Sequence, residues 1–166
     1  MTPKCRVQIM KKIILDLTKP KIKITINEDS EIYGVYVGKK NLNLKTELTI
    51  IHTKPGLRSL TIVKAVVFDK SSFDMIGNLI IKTGAKHTDA YLRLDALILS
   101  NEASARVIPS LEITENDVKG GHGATVGQVN QEQLYYLQSR GLSGNKAEEV
   151  LVEAFLSDIM KHIILK

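Results

Sequence analysis

The feature that most constrains this chain of 166 residues is a succession of short runs rich in Ile, Leu and Val, with turn residues between them and no helical pattern among them. Ile22, Ile24 and Ile26 alternate with Lys23 and Thr25, and this period of two puts the isoleucines on one face of a strand. Asn27-Glu28-Asp29-Ser30 then reads as a turn. Further strands are predicted over 31–37, 42–52, 59–68, 75–83, 90–100 and 105–113, separated by runs such as Gly38-Lys39-Lys40-Asn41, Lys54-Pro55-Gly56 and Lys70-Ser71-Ser72. Such a recurrence, without intervening helices, fits either an all-β sandwich or a β-solenoid of stacked coils, and the pattern leaves both open. Residues 5–17 alternate imperfectly and fit a strand or a short helix equally.

Composition narrows the function classes. Hydrophobic content of 43% and charged content of 25% are those of an ordinary globular chain and not of a disordered one. The net charge of +5 is concentrated at the start. Residues 1–25 hold seven basic groups against Asp16 alone, while the rest of the chain holds 16 basic and 17 acidic groups. No aromatic residue interleaves those charges before Tyr33, which argues against a nucleic-acid surface. Cys5 is the one cysteine, so neither an internal disulfide nor a thiolate cage is available, and a cytoplasmic setting is expected. Ile13, Ile14, Leu15 and Leu17 are interrupted by Asp16 and do not form a signal peptide, and no run approaches the ~20 apolar residues of a membrane-spanning helix.

After the last predicted strand comes Asp117-Val118-Lys119-Gly120-Gly121-His122-Gly123-Ala124-Thr125-Val126-Gly127. Glycines at this density mark backbone that turns sharply or approaches another surface closely, so 119–129 is expected to be an elbow that holds His122 on an uncrowded loop. It is not a phosphate cradle. Gly127 is followed by Gln128 and Val129 where a P-loop needs lysine and a hydroxyl, and Val126 stands where a dinucleotide fingerprint needs glycine. Beyond it, Asn130 with Gln133 forms a helix-capping pair, Leu134 and Leu137 share a face, and Gly141 suits a left-handed stop. Ser143 opens a second helix on which Ala147, Val150, Leu151, Ala154, Phe155, Ile159 and Ile163 trace an apolar stripe, opposite Lys146, Glu148, Glu149, Glu153 and Asp158.

None of the four histidines, His52, His87, His122 and His162, lies at a paired-ligand spacing. His52 reads as a strand residue, and His162 as a last-turn residue facing the helix dipole. A metal-dependent enzyme built on His122 is disfavoured by the lack of further ligands and of clustered carboxylates.

Three runs carry a family resemblance: Ala105-Arg106-Val107-Ile108-Pro109-Ser110-Leu111-Glu112-Ile113 through Asp117-Val118-Lys119, then His122-Gly123-Ala124-Thr125-Val126-Gly127, then Gln133-Leu134-Tyr135-Tyr136-Leu137-Gln138-Ser139-Arg140-Gly141-Leu142. In order and spacing they resemble the SufB/SufD family of SUF iron–sulfur cluster assembly proteins, nearest to the C-terminal part of SufD. The likeness extends back through Thr88-Asp89-Ala90-Tyr91 and Gly77-Asn78-Leu79-Ile80-Ile81 to Phe73. It implies a mainly β fold with C-terminal helices: a short right-handed parallel β-helix over 1–118, with 1–20 as an end cap, the elbow at 119–129, and a helical subdomain over 130–166. It implies a non-enzymatic scaffold subunit whose partners are a SufC-like ABC-type ATPase and a SufB-like subunit, or a second copy of itself. His122 is implied as the cofactor-binding and metal-ligating residue for an iron–sulfur cluster that is transient and shared with a partner chain. Tyr136, Ser139, Arg140, Gly141 and Leu142 are implied to bind the ATPase. Gly120-Gly121 replaces the Cys-Ser common before this histidine in the family, and Cys5 lies outside the matched runs, so the chain is not expected to hold a cluster unaided. The alternative from another class is a stand-alone homodimeric β-helix module without a cluster.

Overall fold

The computed structural model describes residues 10–164. Its elements in chain order are β1 (Lys11–Ile14), β2 (Lys21–Ile26), β3 (Ser30–Gly38), β4 (Asn43–His52), β5 (Arg58–Val67), β6 (Ser72–Ile81), β7 (Asp89–Ile98), β8 (Ser104–Ile113), β9 (Lys119–Gln128), α1 (Gln131–Ser139) and α2 (Gly144–Ile164). Strands alternate between two sheets, one ordered β1-β3-β5-β7-β9 and the other β2-β4-β6-β8, and every pairing is parallel. The chain therefore winds as a β-solenoid of about four turns, which resolves the choice between sandwich and solenoid. β1 steps to β3 by 19 residues and β2 to β4 by 26, and from there on stacked partners lie 29 to 32 residues apart, as in Asn78–Thr49 and Ser110–Asn78. The predicted strands form with their ends shifted by a few residues, and the ambiguous segment before them resolves as β1. Cys5 and the rest of 1–9, including that part of the expected end cap, fall outside the described residues.

The period-two pattern explains the core. In β6, Phe73, Met75, Leu79 and Ile81 are buried while Asp74, Ile76 and Asn78 face outward, half-buried. Inward rows run across the coils, as Ile32–Thr61–Leu92 does through β3, β5 and β7. At the start of the solenoid, Leu15 and Leu17 are buried against Gly34, where an added Cβ would meet their methyls at 3.2 Å. Stacked turns are pinned by polar bonds: Lys40 N–H donates to Asp69 Oδ2 at 2.7 Å and Thr83 N–H to Thr114 Oγ1 at 3.0 Å. Buried Asp29 receives the backbone N–H of Arg58 at 2.8 Å and its guanidinium at 3.0 and 3.1 Å.

The helices return over the outer face of the larger sheet. Leu156 and Ile159 of α2 are buried on Tyr33 and Val66, flanked by Val35, Ile62 and Leu97. Beneath them the ammonium of Lys64 donates to Asp158 Oδ1 at 2.6 Å and to the Phe155 carbonyl at 2.7 Å, and lies 4.8 Å from the Phe155 ring centre. This pairing is what permits a lysine only 7% exposed. The Asn130 side chain accepts from the N–H groups of Glu132 and Gln133, and Gly141 takes φ +94°, so the predicted cap and stop are both present. Ala147, on the predicted stripe, packs with Leu134 and Val129. No helix among the described residues is long and apolar enough to cross a membrane.

Candidate functional site

The glycine-rich run, expected as a loop, is a strand. Residues Lys119–Gln128 pair along their whole length with β7, from Asp89↔Lys119 to Ile98↔Gln128. Its glycines do not use left-handed backbone, since positive φ among glycines is confined to Gly56, Gly84 and Gly141. Three of them are there for space, while a Cβ at Gly127 would meet nothing within 4 Å. A Cβ at Gly120 would sit 2.8 Å from Ile113 Cδ1 and 3.2 Å from Ile81 Cδ1. On the opposite face, a Cβ at Gly121 would sit 2.9 Å from the Tyr91 ring, and one at Gly123 2.8 Å from its hydroxyl. Of the two readings a glycine cluster allows, close approach holds and the sharp turn does not.

The register places His122 beside Leu92, hence in the inward row that continues Ile32 and Thr61. No further coil among the described residues covers that row, and the imidazole is exposed. Around it the same end of the solenoid shows apolar side chains that deeper coils bury. Val107 and Leu111 are half-buried, whereas Ile113 is 40% and Val126 44% exposed. His122 has no hydrogen-bond or ion-pair partner among the described residues, and these contain no group of three or more His, Cys, Asp or Glu side chains able to hold a metal. One imidazole can complete a cluster held mainly by another chain and cannot hold one.

The other histidines have different surroundings. His52 is wholly buried at the end of β4, its Nε2 2.8 Å from Ser59 Oγ, and burial lowers its pKa to about 4. His87 pairs with Asp117 at 2.9 Å on the surface. His162 stacks on Tyr33, with ring centres 4.5 Å apart and Nδ1 3.7 Å from Glu31.

The residues expected to meet the ATPase lie together where α1 turns into α2. The Arg140 guanidinium sits 5.3 Å from the centre of the Tyr136 ring, and Ser139 Oγ donates to the Tyr136 carbonyl at 2.7 Å. Gly141 makes the turn, and Leu142 packs inward beside Leu137 and Leu151. Tyr135 and Tyr136 are 74% and 57% exposed, and Tyr136 borders a shallow, mostly apolar groove with Glu132, Gln133, Leu137, Val150 and Leu151. Sequence reasoning missed Tyr91 as the partner of the glycines and Lys64 as the anchor of α2. A strand-by-strand alignment at the coil period would have set Tyr91 beside Gly121; no local signal marks Lys64.

A parallel β-solenoid that ends in an open coil and a helical pair defines the class of scaffold to which this chain conforms. The family model for the SufBD core domain of SUF iron–sulfur cluster assembly matches residues 7–155, and the chain belongs to that family. An iron–sulfur cluster assembly SufBD family protein of Pyrococcus horikoshii is 31% identical over 150 residues, covering 89% of this chain and 33% of the relative. The SufD protein of Escherichia coli is 31% identical over 133 residues, covering 80% and 31%. A SufBD family protein of Mycobacterium leprae is 31% identical over 143 residues, covering 81% and 36%. The chain thus spans about a third of the length of these relatives.

Proposed function

We propose that this chain is a SufD-like, non-enzymatic subunit of a cytoplasmic iron–sulfur cluster assembly scaffold, in which His122 supplies one ligand to a cluster built across a subunit interface. The observation that carries the reading is the exposed imidazole in an inward row at the open end of the solenoid, ringed by apolar side chains that a second β-stack would bury. The cluster is cargo. Its other ligands come from the facing chain, because the described residues present a single donor there. A SufB-like subunit is the proposed partner. The exposed surface of Tyr136, Ser139, Arg140 and Gly141, with half-buried Leu142 beneath it, is proposed to dock a SufC-like ABC-type ATPase, since Tyr and Arg beside an apolar groove are the residue types that anchor interfaces.

The test is reconstitution with a SufB-like chain and a SufC-like ATPase, followed by the visible absorbance of the cluster after gel filtration. Wild type is expected to retain it and His122→Ala to lose it, with the assembled complex intact. Equal retention by the alanine variant would remove His122 from the cluster. A second reading, a homodimeric module without a cluster, is favoured by the same uncovered end, which a second copy can meet in an isologous contact. Light scattering of the chain alone, with no cluster chemistry in the mixed complex, would support that reading instead.

A further inference from the structure

We infer that Tyr91 is a positioning residue for His122, and that Gly121 and Gly123 are kept bare so that its ring can lie across them. The inference rests on the proposed role of His122 and adds how this chain aims it. Among the described residues β9 is the last strand of its sheet, hydrogen-bonded to β7 on one side only. Its outward positions are Lys119, Gly121, Gly123, Thr125 and Gly127, so it has almost no side-chain packing of its own on that face. Glycines in a strand interior leave the backbone loose, and an aromatic ring from the neighbouring strand laid over them restores the packing.

Tyr91 does this from the directly opposed position, since Tyr91 pairs with Gly121. Its ring carbons Cδ2 and Cε2 lie 2.9 and 3.1 Å from the place a Gly121 Cβ would take, and its hydroxyl 2.8 Å from that of Gly123. Any side chain at either position would push the ring away. His122 sits between these glycines and points to the other face. With no hydrogen-bond or ion-pair partner among the described residues to fix it, its imidazole depends for its direction on the β9 backbone and on its place beside Leu92. What holds that backbone therefore aims the ligand. The α2 helix meets the sheet away from His122: its buried contacts fall on Tyr33, Val66 and Leu97, and through Ala147 on Val129 just past the end of β9.

The test uses the full chain, labelled with ¹⁵N. In Tyr91→Ala, the β9 amides that bond to β7 are expected to exchange at least about fivefold faster than in wild type, while β5 amides keep their protection. The His122 ring signals should broaden or shift. Tyr91→Phe keeps the ring and should restore both to wild-type behaviour; Gly121→Ala should reproduce the alanine effect from the other side of the contact. In the reconstituted complex, Tyr91→Ala should lower cluster retention and Tyr91→Phe should not. Unchanged β9 exchange and unchanged His122 signals in Tyr91→Ala would overturn the inference. So would a loss of protection spread evenly over the sheet, which marks a general stabiliser. If His122→Ala loses the cluster while Tyr91→Ala retains it, positioning by Tyr91 is overturned and the ligand role stands. If His122→Ala retains it, the ligand role and the aiming built on it both fall.

Discussion

The two ends of the solenoid have the same inward rows of side chains and opposite fates. At the start, Leu15 and Leu17 are 8% and 4% exposed because the chain folds them over the first coil, onto Gly34. At the finish, Ile113 and Val126 point the same way as their buried counterparts Ile81 and Ala96 and are 40% and 44% exposed. A parallel stack repeats its core at every coil, so the last coil carries a core face whether or not anything covers it. The chain covers much of the first end itself, with Leu15 and Leu17 buried and Ile22 and Ile24 half-buried. The other is finished in apolar side chains with a histidine among them, and on the proposed function that is the face a partner covers.

The largest expected effect tests the closed end. Leu17→Ala removes a buried side chain packed against Gly34 and should cost about 2–5 kcal/mol of unfolding free energy, measured by urea denaturation. A loss under about 1 kcal/mol would mean that the start is as open as the finish, and the comparison would break.

The next effect asks how far solvent enters from the open end. His52 lies beneath Ile81 and Ile113 in one inward row, so two apolar side chains stand between it and the uncovered face. Its Nδ1 has no hydrogen-bond partner among the described residues, and burial holds its pKa at about 4. In the unfolded chain an imidazole titrates near ~6.5. Between these values the unfolded state binds a proton that the folded state refuses, so stability falls as pH drops from about 6.5 to about 4 and this contribution is then constant. The full loss is on the order of 3 kcal/mol. Denaturation midpoints across that range should show the slope, and His52→Gln should flatten it. An NMR titration of His52 with a midpoint above 6 would show water reaching deep into the stack.

These two ends also mark what could be read in advance. The strands were legible because alternation is local, and so were the Asn130 cap and the Gly141 stop, each set by residues within one helical turn. The β9 strand was not. Its glycines carry no alternation, and their reason, Tyr91 on one face and Ile113 on the other, belongs to other strands of the stack. Lys64 was hidden for a stronger form of the same cause: its partner Asp158 is 94 residues away. His122 stood out by its motif, but its place on an inward row became visible only once register was known.

A smaller effect concerns the exit from the open coil. Asn130→Ala leaves the N–H groups of Glu132 and Gln133 without their acceptor and should cost about 1 kcal/mol in thermal melts. Since Val129, directly before the cap, is buried against Leu134, the loss should appear as fraying of α1 and of the end of β9, with the closed end unaffected.

The smallest effect on stability is predicted at Val126, more exposed than its large apolar neighbour Ile113 on the open face. Val126→Asp places a charge where the side chain is already 44% in water, so the isolated chain should change by no more than about 0.5 kcal/mol. Its effect on association should be large, because a second stack laid over this face would bury the carboxylate without a partner, and an unpaired buried charge costs several kcal/mol. Sedimentation of wild type and variant at matched concentrations, alone and with a SufB-like chain, separates the two quantities. A variant that melts with wild type but no longer associates is the expected outcome, and it assigns the apolar finish of the solenoid to a partner. If the variant associates as wild type does, the contact lies elsewhere. The exposed row of Ile113 and Val126 would then be an uncovered core edge, and the contrast between the two ends would reflect only where the stack stops.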